Sequence, residues 1–205
     1  MPGAGTVTGI KLKLLLALLL AVSAAVPSAA AQPAAQLSFR AVLAKYDALA
    51  DAETDLGRLR ALEVERSREL ARVLDDGLRF DAWRLVLTAA EATPLGGLFL
   101  RLHDPALDAP RSVRPTYWNS GPGAIMREAD ISRRSPLHGP VALLKRGSLV
   151  VVSGNFFPDA NGGPFYESAR ISGQELNVAR ARFRMPYFSI RLANIDELFP
   201  ERRVP

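Results

Sequence analysis

The chain has 205 residues, no cysteine, two histidines and a formal net charge of +5. Without cysteine there are no disulfide staples, no thiolate metal sites and no cysteine nucleophile. Two histidines are too few for a zinc site built on three. The positive charge is spread along the chain instead of forming the basic stripe of a nucleic-acid-binding domain.

The first element in chain order reads as a secretory leader. Lys11 and Lys13 give a positive start, Leu14 to Val22 an unbroken apolar run, and Ser23 to Ala31 a small-residue stretch with Ala29 and Ala31 in an A-x-A arrangement. The run is shorter than the ~20 residues a membrane span needs. An uncleaved anchor is the alternative, but small residues follow the run directly. Cleavage near Ala31 is therefore expected, with a periplasmic or secreted product that meets the membrane only in transit. The mature chain would keep about 174 residues and a net charge of +3, enough for one domain and an extension. Export also makes nucleic acid an unsuitable partner.

Gln32 to Ala35 reads as a tether. The segment 32–77 is otherwise helical in pattern. Leu37, Val42, Leu43, Tyr46, Leu49 and Ala50 recur at three- and four-residue steps, followed by Leu56, Leu59, Leu62, Leu70, Val73 and Leu74. The opposite face carries Glu53, Arg58, Glu63, Glu65, Arg66, Arg68, Glu69 and Arg72. Gly57, worth roughly 1 kcal/mol less than alanine in a helix, is a weak point. One long helix or a hairpin of two fits equally. Either leaves an apolar stripe for a partner or a second copy, so residues 32–76 are expected to be removable from a folded β domain.

From 78 to 205 the pattern changes to short strands and turns. Strands are predicted at Trp83–Thr88, Leu98–Leu102, Arg111–Trp118, Ser148–Phe157, Phe165–Ser172 and Tyr187–Leu192. The third, punctuated by proline, reads as an edge. Ser135-Pro136 is a helix start, and Val141–Lys145 a short helix closed by Gly147. Val150, Val151 and Val152 suggest burial on both faces of the fourth strand, and Gly154 a bulge. A helix between strands three and four matches a five-stranded OB-type barrel; another small barrel or a sandwich is the alternative. The fold class is thus α+β, a long helix or helical hairpin followed by a small OB-like barrel of five to six strands.

Several residues carry a resemblance. They are Trp83, the run Thr116-Tyr117-Trp118-Asn119, Ser135-Pro136-Leu137, Leu144, Gly147, Val150 through Phe156, Glu167-Ser168, Pro186-Tyr187-Phe188 and Ile195. Over about residues 80 to 198 the chain resembles a family of exported bacterial proteins with a signal peptide, a helical segment and an OB-like domain. The resemblance implies a fold and supplies no activity or catalytic residues.

Catalytic constellations are weak. His103-Asp104 reads as a strand-end histidine beside a turn aspartate, and His138 as a residue near a helix start. Ser153, His138 and Asp104 form a triad only on paper. Asp75, Asp76 and Asp81 lack the spacing of a calcium loop. The Gly-Gly pairs at 96–97 and 162–163 are turn glycines, and no cofactor motif is present. OB barrels bind across strands two and three. That region holds Arg101, His103, Arg111, Arg114, Tyr117 and Trp118, suited to an anionic or planar ligand. The other reading buries Tyr117 and Trp118, with the arginines as a solvated rim. The sequence thus favours a non-catalytic exported binding or adaptor protein for an envelope protein or such a ligand, with a periplasmic hydrolase using His103 or His138 as the alternative.

Overall fold

Two short polar segments decide how the helical region folds. Pro33, extended at φ −53° and ψ 142°, precedes helix α1, Ala34–Ala52. Asp55 then caps α2, Leu56–Val73, its side chain accepting the Arg58 backbone N–H at 2.7 Å. The Glu53 carboxylate takes the Thr54 and Asp55 N–H groups between them. The computed structural model describes residues 32–74, 77–105, 113–159, 163–167 and 175–198. The leader, Asp75, Asp76, Arg111, Gly162 and residues 168–172 of the predicted fifth strand lie outside them.

The hairpin leads into β1, Arg79–Ala92, through Gly77 and Leu78, both at positive φ. β2 is Leu98–His103 and β3 only Thr116–Trp118. Helices α3, Ala124–Ala129, and α4, His138–Ala142, precede β4, Leu149–Phe156. Helix α5, Glu175–Arg184, precedes β5, Tyr187–Glu197. The strands close into a barrel in the order β1-β2-β3-β5-β4. β3 runs parallel to β5, and every other pairing is antiparallel. This is an OB-like arrangement.

Three sequence expectations are corrected here. β3 is not an edge, because the three residues after Pro115 pair with β2 on one side and β5 on the other. The fourth strand buries one face only: Val150, Val152 and Phe156 point inward while Val151 is half-buried. Of the predicted fifth strand, the described part gives only an isolated bridge, Glu167 to Phe188. Gly154 does mark a bulge. The β4–β5 register shifts there, and a Cβ would lie 2.2 Å from the Arg191 carbonyl oxygen.

Gln32 to Pro205 form one compact unit. Its centre is a cluster of rings inside the barrel, Phe80, Trp83, Tyr117, Phe156 and Phe188, and Phe39 of α1 joins it. Phe39 is fully buried, 5.4 Å from Phe156 and 5.1 Å from Trp83 between ring centroids. One turn earlier, buried Gln36 bonds both the N–H and the C=O of Arg84, at 3.0 and 2.8 Å. Its amide thus stands in for a strand where the β1–β2 register has ended at Val86 and His103. Consequently Gln32–Ala35 is no tether, and the hairpin packs into the barrel core instead of projecting from it as an arm. The buried stripe of α1 includes Gln36 and Phe39, whereas Leu37 and Leu49 are exposed.

Arg66 is a further correction. Placed by its charge on the solvent face, it is fully buried. Its guanidinium grips both Glu167 oxygens at 2.7 Å, donates to the Arg182 carbonyl and lies over the Phe183 ring at 4.8 Å. Burial pushes the Glu167 carboxyl up, and the facing Arg66 charge pulls it back.

Two outcomes follow. Phe39→Ala will destabilise the protein by about 3–5 kcal/mol in urea titration, because it empties a ring-sized volume in the core. Glu167→Ala, which strands a buried guanidinium, will cost about 3–5 kcal/mol, and the double replacement Arg66→Met with Glu167→Leu will recover most of it.

Candidate functional site

Strand alternation sorts the six predicted ligand residues. On β2, Leu100 and Leu102 are fully buried, so Phe99, Arg101 and His103 face outward. Across the ladder, Arg101 pairs with Trp118 and His103 with Thr116. On the far side of β3, Tyr187 of β5 pairs with Thr116. The outer face therefore gathers Arg101, His103 and Trp118. Trp118 packs edge-on against Phe99 and Tyr187, at 5.6 and 6.4 Å, and is only 5 % exposed.

Tyr117 belongs elsewhere. It pairs with Leu102 and points into the barrel, 5.7 Å from Trp83 and stacked on Phe188 at 5.9 Å. Burial pushes its hydroxyl far above the usual range, Asp104 adding to the effect, and the hydroxyl has no hydrogen-bond partner among the described residues. Arg114 is exposed just before β3, its backbone N–H bonded to the Arg184 carbonyl at 2.7 Å. Arg111 lies outside the described residues.

Electrostatically the outer face is positive. No ion pair among the described residues engages Arg101 or Arg114, and the Arg101 Nε is buried without a hydrogen-bond partner. Burial, then the charges of Arg101 and Arg114, push His103 below the usual histidine range. Its Nε2 meets the Thr116 hydroxyl at 3.1 Å.

The paper triad does not assemble. Ser153 donates to Asp81 at 2.6 Å and accepts from the Ala82 N–H at 3.0 Å, across the β1 bulge. His138 Nε2 sits 3.3 Å from the Gly96 carbonyl, tying α4 to the β1–β2 turn. Asp104 is 2 % exposed and turns toward α1, bound by Gln36 at 3.3 Å, Gln32 at 3.4 Å and Arg40 at 3.4 Å. Among the described residues no group of three His, Asp or Glu side chains is arranged to hold a metal ion.

Two features had no legible signal. Asn119, named in the sequence only as the end of the Thr116–Asn119 run, is buried and extends β2 beyond the end of β3. It accepts from the Leu100 N–H at 2.5 Å and donates to the Leu98 and Ala129 carbonyls. A cleft of about 210 Å³ between α1 and α5 holds Arg184 against Asp47 and Asp51, at 3.5 and 3.1 Å. Burial pushes Asp47 up, with Arg184 opposing. These residues lie over 120 positions apart, beyond any local pattern.

No helix among the described residues is long and apolar enough to cross a membrane. No family model, curated protein or solved structure matches the chain.

The inward Tyr117 yields a simple expectation. Tyr117→Phe removes an unpartnered buried hydroxyl and will leave stability equal or raised in thermal melting.

Proposed function

We propose that the chain is an exported, non-catalytic binding or adaptor module, of the leader–helix–OB type it resembles in sequence. It takes an anionic ligand, such as an acidic group of an envelope protein, on the outer face of β2 and β3 through Arg101, His103 and Arg114. One observation carries this reading. The outer face presents the Arg101 and Arg114 guanidinium groups with no carboxylate paired to either among the described residues, beside His103, which burial and these two charges hold below the usual histidine range. A bound anion would supply the missing countercharge, and charge-assisted bonds of this kind contribute about 1.5–3 kcal/mol each. Trp118 and Tyr187 stiffen the platform from which Arg101 projects. The export part rests on the leader of residues 1–31.

Sulfate, whose charge is constant near neutrality, is a suitable probe by NMR titration of the mature chain. Arg101→Ala and Arg114→Ala will each weaken binding about tenfold, the equivalent of 1.4 kcal/mol. His103 is held neutral below its ordinary pKa, so acidification through that lowered value adds a positive charge. Affinity will therefore rise as the pH falls below 6.5 in the native protein, and stay flat in His103→Gln. Binding that ignores all three replacements, or no binding at all, overturns the ligand face. A native product found in the soluble cell contents and still beginning at Met1 overturns the export reading.

A further inference from the structure

We propose that Gln32, once exposed by leader removal, is a modification site: the folded chain closes its side chain into an amino-terminal pyroglutamate, with Arg40 and Asp104 as the assisting groups. The inference rests on the export reading above, with cleavage after Ala31. That cut converts the Gln32 peptide nitrogen into a free α-amine on the residue whose side-chain amide is already held at both ends.

The holding is specific. Arg40 donates to Gln32 Oε1 at 2.7 Å, and Gln32 Nε2 donates to Asp104 Oδ1 at 3.4 Å. These are the two side-chain atoms whose charge changes in the reaction. The α-amine lone pair adds to Cδ, a new N–Cδ bond forms, and Oε1 becomes an oxyanion facing a guanidinium. Collapse of that intermediate breaks the Cδ–Nε2 bond. The departing nitrogen leaves as ammonia after gaining the proton that the amine gives up, and Asp104 stands where it relays that proton. Nothing is oxidised or reduced, and no co-reactant is needed.

The surroundings fix both helpers. Asp104 is buried against α1 by Gln36, and Arg40 pairs with Asp104 through its Nε at 3.4 Å. Arg40 thus spans the carboxylate with one nitrogen and the Gln32 carbonyl with another. Pro33 anchors the segment by starting α1, with the Leu37 N–H bonded to its carbonyl at 3.1 Å. Gln32 is held at the edge of the compact unit instead of trailing from it. The product would have a neutral, blocked amino terminus.

The test has two arms. The chain is exported with its own leader, and the purified product is weighed by intact mass spectrometry. The expected species begins at residue 32 and is lighter by one ammonia. Separately, a mature chain freed in vitro so that Gln32 is first is incubated at neutral pH, folded and in urea. The folded chain will cyclise at least about tenfold faster, a modest return for one oxyanion donor. Arg40→Ala and Asp104→Asn, checked for folding by circular dichroism, will fall to the urea rate, while Arg40→Lys keeps part of the advantage. A product still beginning at Met1 sinks the export reading and this proposal together, and one clipped at a residue other than Gln32 sinks this proposal alone. A chain that begins at Gln32 but cyclises no faster folded than unfolded sinks this proposal alone.

Discussion

The packing of Phe39 against Phe156 and Trp83 is the contact on which the rest of the structure depends. The five-stranded barrel has a ring-filled interior, Phe80, Trp83, Tyr117, Phe156 and Phe188, that stays open toward the helical hairpin. The chain completes that volume with a ring from outside the sheet. Aromatic side chains each bury about 150–250 Å², so a single phenylalanine on α1 commits the whole hairpin to the barrel. α2 follows because Leu59, Leu62 and Leu70 pack into the same core. The helical segment is therefore a wall of the core.

Polar groups set the orientation that apolar packing leaves loose. Gln36 and Arg40 lie one turn apart on α1 and both reach Asp104, while Gln36 also takes the Arg84 backbone. On the other helix, Arg66 joins α2 to Glu167 and to the carboxyl end of α5. Buried charges and amides are costly unless fully partnered, so each geometry admits one register of helix against barrel. Asp104 thus has two assignments: it locates α1, and it sits at the amino terminus that leader removal would create.

This division of labour separates structure from surface. The aromatic residues that suggested a stacking platform are largely consumed, Tyr117 by the barrel interior and Trp118 by Phe99 and Tyr187. What the outer face of β2 and β3 offers a ligand is charge, from Arg101 and Arg114, to which His103 adds only on acidification. An anion recognised by positive charge on a rigid sheet suits a module that binds and positions a partner. Both histidines already have neighbours with structural roles, Thr116 for His103 and Gly96 for His138.

Local patterns in the sequence were sufficient for the helical segment, the α+β class and the rough positions of the five barrel strands, because strand alternation, turn glycines and helix caps act within a few residues, but they placed a further strand at Phe165–Ser172 ahead of the one that closes the barrel. Gly57 marked a weak point beside the break between α1 and α2 without deciding between one helix and two, and Gly154 marked the bulge. The face taken by each residue was decided by tertiary structure. Leu37 and Gln36 are neighbours of opposite polarity, yet Gln36 is buried, because an exposed strand backbone at Arg84 needed a partner. Arg66 reads as solvent-facing until Glu167, 101 residues away, supplies its countercharge. Tyr117 and Trp118 are adjacent and similar in chemistry, and only the register against Arg101 and Leu102 sends one into the core and the other outward. Helix α5 was not legible at all, since the partners that hold it, Glu53, Glu63 and Arg66, lie on the far side of the barrel sequence. Composition and spacing fix which elements form. Long-range pairing alone fixes which polar groups are buried, because that depends on a partner the local sequence does not contain.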